Sequence, residues 1–270
     1  KLYLQYEDLL RNAKRPDAEF FMTNIFTDFV KLYNSTEEKT ARDDIIKNPA
    51  IIAGIGKIGP QQFLAIGDQP SFYRSYDGVK KLPANPEPKD YRYLVRMLKM
   101  GQEKGLPVVF FTDTPGAKPT LESEKIGQSD WISYALEASC SYNYPIFSYV
   151  TGVDGSGGGA ATTTRGNHRA MLERSMSFVA EPRSATSILY NESNPTVDQI
   201  KDTLNSMRAT AQDQLQLGLI DAVIPESDNP YQTARNLHDA IVNAYVNLPR
   251  RVKADKNNRI RRSKGVQVKK

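Results

Sequence analysis

The segment Val150 to Asn167, VTGVDGSGGGAATTTRGN, concentrates the residue types that could do chemistry. An apolar run leads through Asp154 into four glycines within five positions, 155 to 159, and then into the helix-compatible AATTT. Glycine permits positive φ and lets a ligand approach bare N–H groups, and a following helix N-terminus adds partial positive charge. Such a loop can hold a phosphate or a developing oxyanion. The same residues also suit a tight turn that packs a helix on a strand, and spacing alone leaves both readings open. Neither nucleotide fingerprint fits: no Gly-Lys-Ser/Thr follows, and the spacing is not Gly-x-Gly-x-x-Gly. A second segment, FFTDTPGAKP, puts Asp113, Thr114, Pro115, Gly116 and Ala117 where an apolar strand ends. Ligands of open α/β sheets bind at that edge, although Asp113 and Thr114 equally read as turn residues capping the strand. Metal and thiol chemistry find little support. Cys140 is the one cysteine, which excludes an internal disulfide, and with only His168 and His238 beside it no zinc-ligand spacing exists.

The elements that must position these loops alternate. PVVFFTD reads as a doubly buried strand, ESEKIGQSDWISYALEASC as a helix and PIFSYVTG as a second buried strand. HRAMLE, MSFVA and LGLIDAVIP add short apolar runs, and NPYQTARNLHDAIVNAYVNL is a last amphipathic helix. Upstream, KDYRYLVRMLKMGQEKG places Tyr91, Leu94, Val95 and Leu98 at helical spacing and closes on Gly105. IIAGIGKI and QQFLAIGDQ, split by Gly59-Pro60, read as a hairpin. Residues 70 to 88 read as irregular and proline-rich, and residues 5 to 33 as two helical patterns separated by Arg15-Pro16. Strand and helix at this rhythm predict an α/β chain with parallel pairing.

The 270 residues, 39% hydrophobic and 25% charged, suffice for one large core. No run reaches the roughly 18 to 20 apolar residues that span a bilayer, and Lys1-Leu2-Tyr3 opens no apolar signal core, so a soluble chain without a membrane role is expected. Net charge is +5, but the run after Pro249 alone carries +9, leaving the rest acidic at −4. That tail reads either as a solvated or partner-docked extension, or as an electrostatic foot on RNA, DNA or an acidic protein surface.

Together these segments resemble a known family. FFTDTPGAKPTLESEKIGQSDWI, with Gly127, Gln128 and Ser129 in place, is similar to the strand, Asp-Thr-Pro-Gly-Ala loop and Gly-Gln-Ser helix start of the alpha subunit of bacterial and plastid-type acetyl-CoA carboxylase carboxyltransferase. GVDGSGGGA resembles its Gly-Glu-Gly-Gly-Ser-Gly-Gly-Ala loop, and SILY, TAQDQLQLGLIDAVIPE, LLRNAKRP, FTDFVKLY, AGIGKI and PEPKDYRYLVRMLKMGQEKGLPVVF follow the family's order. The resemblance spans roughly residues 8 to 248.

It implies a crotonase (ClpP/crotonase-like) fold of repeated ββα units with an N-terminal helical arm. The bounds are 1–34 for the arm, 35–248 for the carboxyltransferase domain and 249–270 for the basic tail. It also implies transfer of a carboxyl group from carboxybiotin, held on a biotin carboxyl carrier protein, to acetyl-CoA, giving malonyl-CoA. Carboxybiotin would yield CO₂ and a ureido anion that takes a proton from acetyl-CoA, so main-chain donors to two oxyanions are the main requirement. On that basis Gly157 and Gly158 are the catalytic donors, Gly155 and Ser156 shape the loop, and Thr114, Gly116, Gln69 and Arg183 contact substrate or biotin. The chain itself binds no cofactor or metal. A homologous beta subunit completes an α2β2 assembly and brings the zinc ribbon and most of the acyl-CoA site. The implied location is a plastid stroma, another organelle matrix or the bacterial cytoplasm.

Some family positions differ. Gly67-Asp68-Gln69-Pro70-Ser71-Phe72 stands for Gly-x-Gln-Lys-Gly-Arg, Val153-Asp154 for Glu-Gly, and Glu181-Pro182-Arg183-Ser184-Ala185 for Ser-Pro-Glu-Gly-Cys. Lost cations weaken anion binding and bulky residues block backbone approach. A catalytically silent paralogue, kept as a structural subunit of a larger RNA-containing organellar assembly, is therefore the alternative expectation. An acyl-CoA hydratase or hydrolase has only Asp154 and Glu181 to offer as a carboxylate pair.

Overall fold

A computed structural model describes residues 1–32, 45–46, 49–75, 78–155 and 166–248. At its centre β4 (Gln61–Asp68), β7 (Val108–Thr114), β8 (Ile146–Gly155), β9 (His168–Leu172) and β11 (Ala222–Ile224) run parallel and side by side. Two strands extend the sheet antiparallel beyond β4, first β3 (Ile51–Ile58) and then β1 (Thr27–Leu32), while β10 (Met176–Phe178) pairs with the end of β8. A small second sheet joins β2 (Ile45–Ile46), β5 (Ser71–Ser75) and β6 (Gly78–Leu82).

Alternation along the strands divides the core. Phe63, Ala65, Val109, Phe111, Phe147 and Tyr149 point to one face, where α2 (Ala18–Ile25) and α9 (Pro230–Asn247) cover them. Leu64, Ile66, Val108, Phe110 and Ile146 point to the other, under α3 (Pro88–Lys104) and α5 (Gln128–Cys140). A sheet buried on both sides explains why these strands read as continuous apolar runs. A third cluster packs Tyr6 and Leu9 of α1 (Leu2–Arg11) on Val153, Met176, Phe178 and Leu204, the last from α7 (Val197–Ser206). The remaining helices are α4 (Leu121–Lys125), α6 (Pro182–Tyr190) and α8 (Ala211–Gln216). Among the described residues no helix is long and apolar enough to cross a membrane.

The hairpin, the two buried strands and the helix closing on Gly105 stand as expected. Gly105 takes φ 69° at the end of α3, and Glu87 and Asp90 form the capping box at its start. Three readings change. The helical pattern reaching residue 33 stops at Ile25, because Thr27, Phe29 and Val30 favour a strand and Asp28, at φ 51°, breaks the backbone path. The segment 70 to 88, read as irregular, contains β5 and β6, which pair as an antiparallel hairpin; its local signal, Asp77-Gly78 between two β-forming runs, goes unread among the prolines that follow. The single helix expected over 122–140 is two, α4 and α5, since Gly127 at φ 87° turns the chain between them.

Candidate functional site

The ends of β7 and β8 meet at one edge of the sheet. There Thr114, the last residue of β7, is fully buried. Its hydroxyl donates to the Ala84 carbonyl at 2.6 Å and accepts from the Gly116 N–H at 3.0 Å. Gly116 has φ 137°, a conformation that favours glycine, and its carbonyl accepts from Asn85 Nδ2 at 2.9 Å. Gly155 closes β8 directly against this loop: a Cβ there would fall 1.9 Å from the Pro115 carbonyl oxygen. Thr114, Gly116 and Gly155, singled out from the sequence separately, thus share one corner. Ser156, Gly157 and Gly158 lie outside the described residues.

The two other singled-out residues are engaged elsewhere. Gln69 follows β4 and is 2% exposed. Its Nε2 donates to Asp17 Oδ2 at 2.8 Å and its Oε1 accepts from the Glu19 N–H at 3.1 Å, so both ends of the carboxamide are committed to the start of α2. Arg183 is exposed on the first turn of α6. Its charge favours ionisation of the Tyr3 and Tyr6 hydroxyls on α1, against larger effects, burial first, that push both groups above the usual tyrosine range. Glu181 caps the same turn, accepting from the Ser184 N–H at 2.8 Å, and accepts a hydrogen bond from the Tyr6 hydroxyl.

Beneath the corner lies a cluster that sequence reasoning missed. Asp68, Asp113 and Asp154 are all buried, and so is Lys81 of β6. Lys81 Nζ donates to Asp113 Oδ2 at 2.6 Å and to the Leu9 carbonyl at 3.0 Å. Asp113 Oδ1 accepts from the Val153 N–H at 3.0 Å, and the Asp113 N–H donates to Asp68 Oδ2 at 3.2 Å. Burial pushes Asp68 well above the usual carboxylate range, with Asp113 and Asp154 raising it further against the one backbone hydrogen bond. Burial also raises Asp154 to about 7, partly offset by Ser177, whose hydroxyl donates to Oδ2 at 2.7 Å. The other Asp154 oxygen has no hydrogen-bond partner among the described residues. The sequence reads Asp113 either as part of a ligand-binding strand edge or as a turn residue, and Lys81 falls in the segment it reads as irregular. The only local signal there is a pair of cations, Lys80 and Lys81, between Val79 and Leu82.

Residues 3–267 match the sequence model of the family described as acetyl co-enzyme A carboxylase carboxyltransferase-like. The chain belongs to that family. Similar family members include the acetyl-coenzyme A carboxylase carboxyl transferase subunit alpha of Fusobacterium nucleatum subsp. nucleatum, 33% identical over 244 residues that cover 88% of this chain and 74% of that one. The subunit alpha of Thioalkalivibrio sulfidiphilus is 32% identical over 248 residues, covering 89% and 73%. A Saccharopolyspora erythraea relative named as subunits beta/alpha is 32% identical over 231 residues, covering 86% of this chain but 38% of its own length. Two solved structures share the fold. The beta subunit of P. aeruginosa geranyl-CoA carboxylase superposes with TM-score 0.63 at 16% identity, covering 85% of this chain and 41% of that one. Transcarboxylase 12S gives 0.61 at 15% identity, covering 83% and 41%. The family's fold is therefore crotonase-like here, as expected.

Proposed function

We propose that this chain is the alpha subunit of an acetyl-CoA carboxylase carboxyltransferase, moving a carboxyl group from carboxybiotin on a carrier protein to acetyl-CoA. One observation carries the reading: the family match runs through residues 3–267 and so takes in both strand ends and the glycine run after them. The chemistry asks this chain for main-chain donors more than for a nucleophile. A strand end that Gly155 lets pack on the Pro115 carbonyl, beside a Thr114–Gly116 loop fixed by hydrogen bonds to Ala84 and Asn85, supplies a rigid start for such a donor run. Gly157 and Gly158 are the proposed donors to an oxyanion, with Gly155 and Ser156 shaping their approach. Gly116 forms the facing wall, held from within by the buried Thr114 hydroxyl. Losing one donor of this kind costs on the order of 3 kcal/mol of transition-state stabilisation.

The alpha role implies a beta partner, and a relative carrying both subunit names in one chain accords with a shared site. Residues 35–248 form the proposed carboxyltransferase domain; among the described residues of the 1–34 arm only α1 and α2 are helical, since β1 joins the sheet of that domain. The basic run 249–270 is a docking element for an anionic partner, such as RNA or an acidic protein surface.

The decisive experiment purifies the chain with a carboxyltransferase beta subunit and measures malonyl-CoA decarboxylation with biocytin as acceptor. Turnover is expected, and Gly158→Val is expected to abolish it while leaving the melting temperature nearly unchanged. An assembled wild type that is folded yet silent would overturn the enzymatic reading and leave the structural-subunit alternative.

A further inference from the structure

The register between β7 and β8 changes where they approach the glycine run. Thr112 faces Val150, yet Thr114 faces Asp154, so three residues of β8, Thr151 to Val153, stand opposite the single residue Asp113. A bulge of this size leaves backbone groups without ladder partners, and buried groups of that kind must find others. Side chains provide them. The Val153 N–H donates to Asp113 Oδ1 at 3.0 Å, and the Thr151 carbonyl accepts from Arg15 Nη2 at 3.4 Å. Gly152 makes room, since a Cβ there would lie 1.9 Å from Asp113 Oδ1. The Asp113 carboxylate is held in turn by Lys81, whose side chain is 3% exposed and whose Nζ also binds the Leu9 carbonyl of α1.

We propose that Asp113 is a positioning residue for carboxyl transfer: its carboxylate substitutes for a missing backbone partner, fixes the bulge in β8, and so sets where the glycine run leaves the sheet. Lys81 orients and neutralises that carboxylate; it touches no reacting atom. The inference rests on the carboxyltransferase reading for its functional half. Its structural half, the fixed bulge, stands independently. The chemistry required at position 113 is an acceptor oxygen aimed at the Val153 N–H, and the charge is secondary once Lys81 is also neutral.

Two double variants separate acceptor from charge. Lys81→Met/Asp113→Asn keeps the acceptor and removes both charges, whereas Lys81→Met/Asp113→Leu keeps the shape and removes the acceptor. Each is assembled with the beta subunit and compared by decarboxylation kinetics and by peptide-resolved hydrogen exchange over residues 150–155. The Asn variant is expected to stay near wild-type turnover. The Leu variant is expected to lose on the order of 10- to 100-fold in kcat at similar KM, with faster exchange confined to those residues. Equal kcat and equal exchange in the two variants would overturn the proposal. Should the Leu variant fail to fold, exchange in the wild type decides. The Val153 amide must then be among the slowest in the chain, and exchange as fast as at the exposed chain termini would overturn the fixed bulge. A silent wild-type assembly refutes the carboxyltransferase reading alone, and the exchange comparison still tests the bulge.

Discussion

At the scale of single residues, Asp154 makes the most measurable statement. Its carboxyl is raised from 3.8 to about 7 by burial, with Ser177 offsetting part of the rise. Between those two values the folded chain keeps a proton that the unfolded chain has released. Stability therefore falls as pH rises through that window, and the loss is complete above about pH 7. The whole shift corresponds to at most about 4 kcal/mol. Asp90, raised to about 6, and Asp68, raised well above its usual range, act in the same direction. Asp154→Asn is expected to flatten, without abolishing, the decline of melting temperature between about pH 5 and 7.5. Identical slopes in wild type and variant would show that the group titrates normally.

At the scale of elements, apolar periodicity was legible and long-range partners were not. The apolar spacing and Gly105 placed α3 from the sequence alone, whereas the Glu87–Asp90 capping box and Pro88 at its start emerge only in the structure. The β5–β6 hairpin has its own signal in Asp77-Gly78, unread in the sequence, whereas Lys81 acquires meaning only when β6 brings it to Asp113. The corner of Thr114, Gly116 and Gly155 was visible as strand-end chemistry, while the carboxylate cluster below it depends on contacts across 45 and 32 positions of chain. The helix α2 shows the same limit. Asp17 accepts from the Phe20 N–H at 2.9 Å as an ordinary cap, but its second oxygen accepts from Gln69, a partner no local pattern announces. Asp17→Ala removes both and is expected to cost about 2 kcal/mol, read as a lower denaturant midpoint. A loss no larger than that of an exposed cap would mean the Gln69 contact contributes nothing.

At the scale of the molecule, the segment between the N-terminal helices is fastened to the end of the last strand of the sheet. Arg15, between α1 and α2, pairs with Glu226 just after β11 at 2.8 Å, and their side chains are only 8% and 5% exposed. A buried pair adds little relative to an apolar substitute, but breaking it leaves one charge stranded. Arg15→Ala is expected to cost about 3–5 kcal/mol, while the neutral Arg15→Met/Glu226→Gln double variant recovers most of that in chemical denaturation. Equal losses in the two would show that packing, not charge, fastens the segment.

The space shared by Asp113 and Gly152 also constrains inheritance. With a Cβ at 152 landing 1.9 Å from the carboxylate, a larger residue there is tolerable only after 113 has shrunk, and shrinking 113 first strands Lys81 and the Val153 N–H. Each single step passes through a damaged ancestor. The two positions should consequently drift through descendants as a unit or stay frozen together.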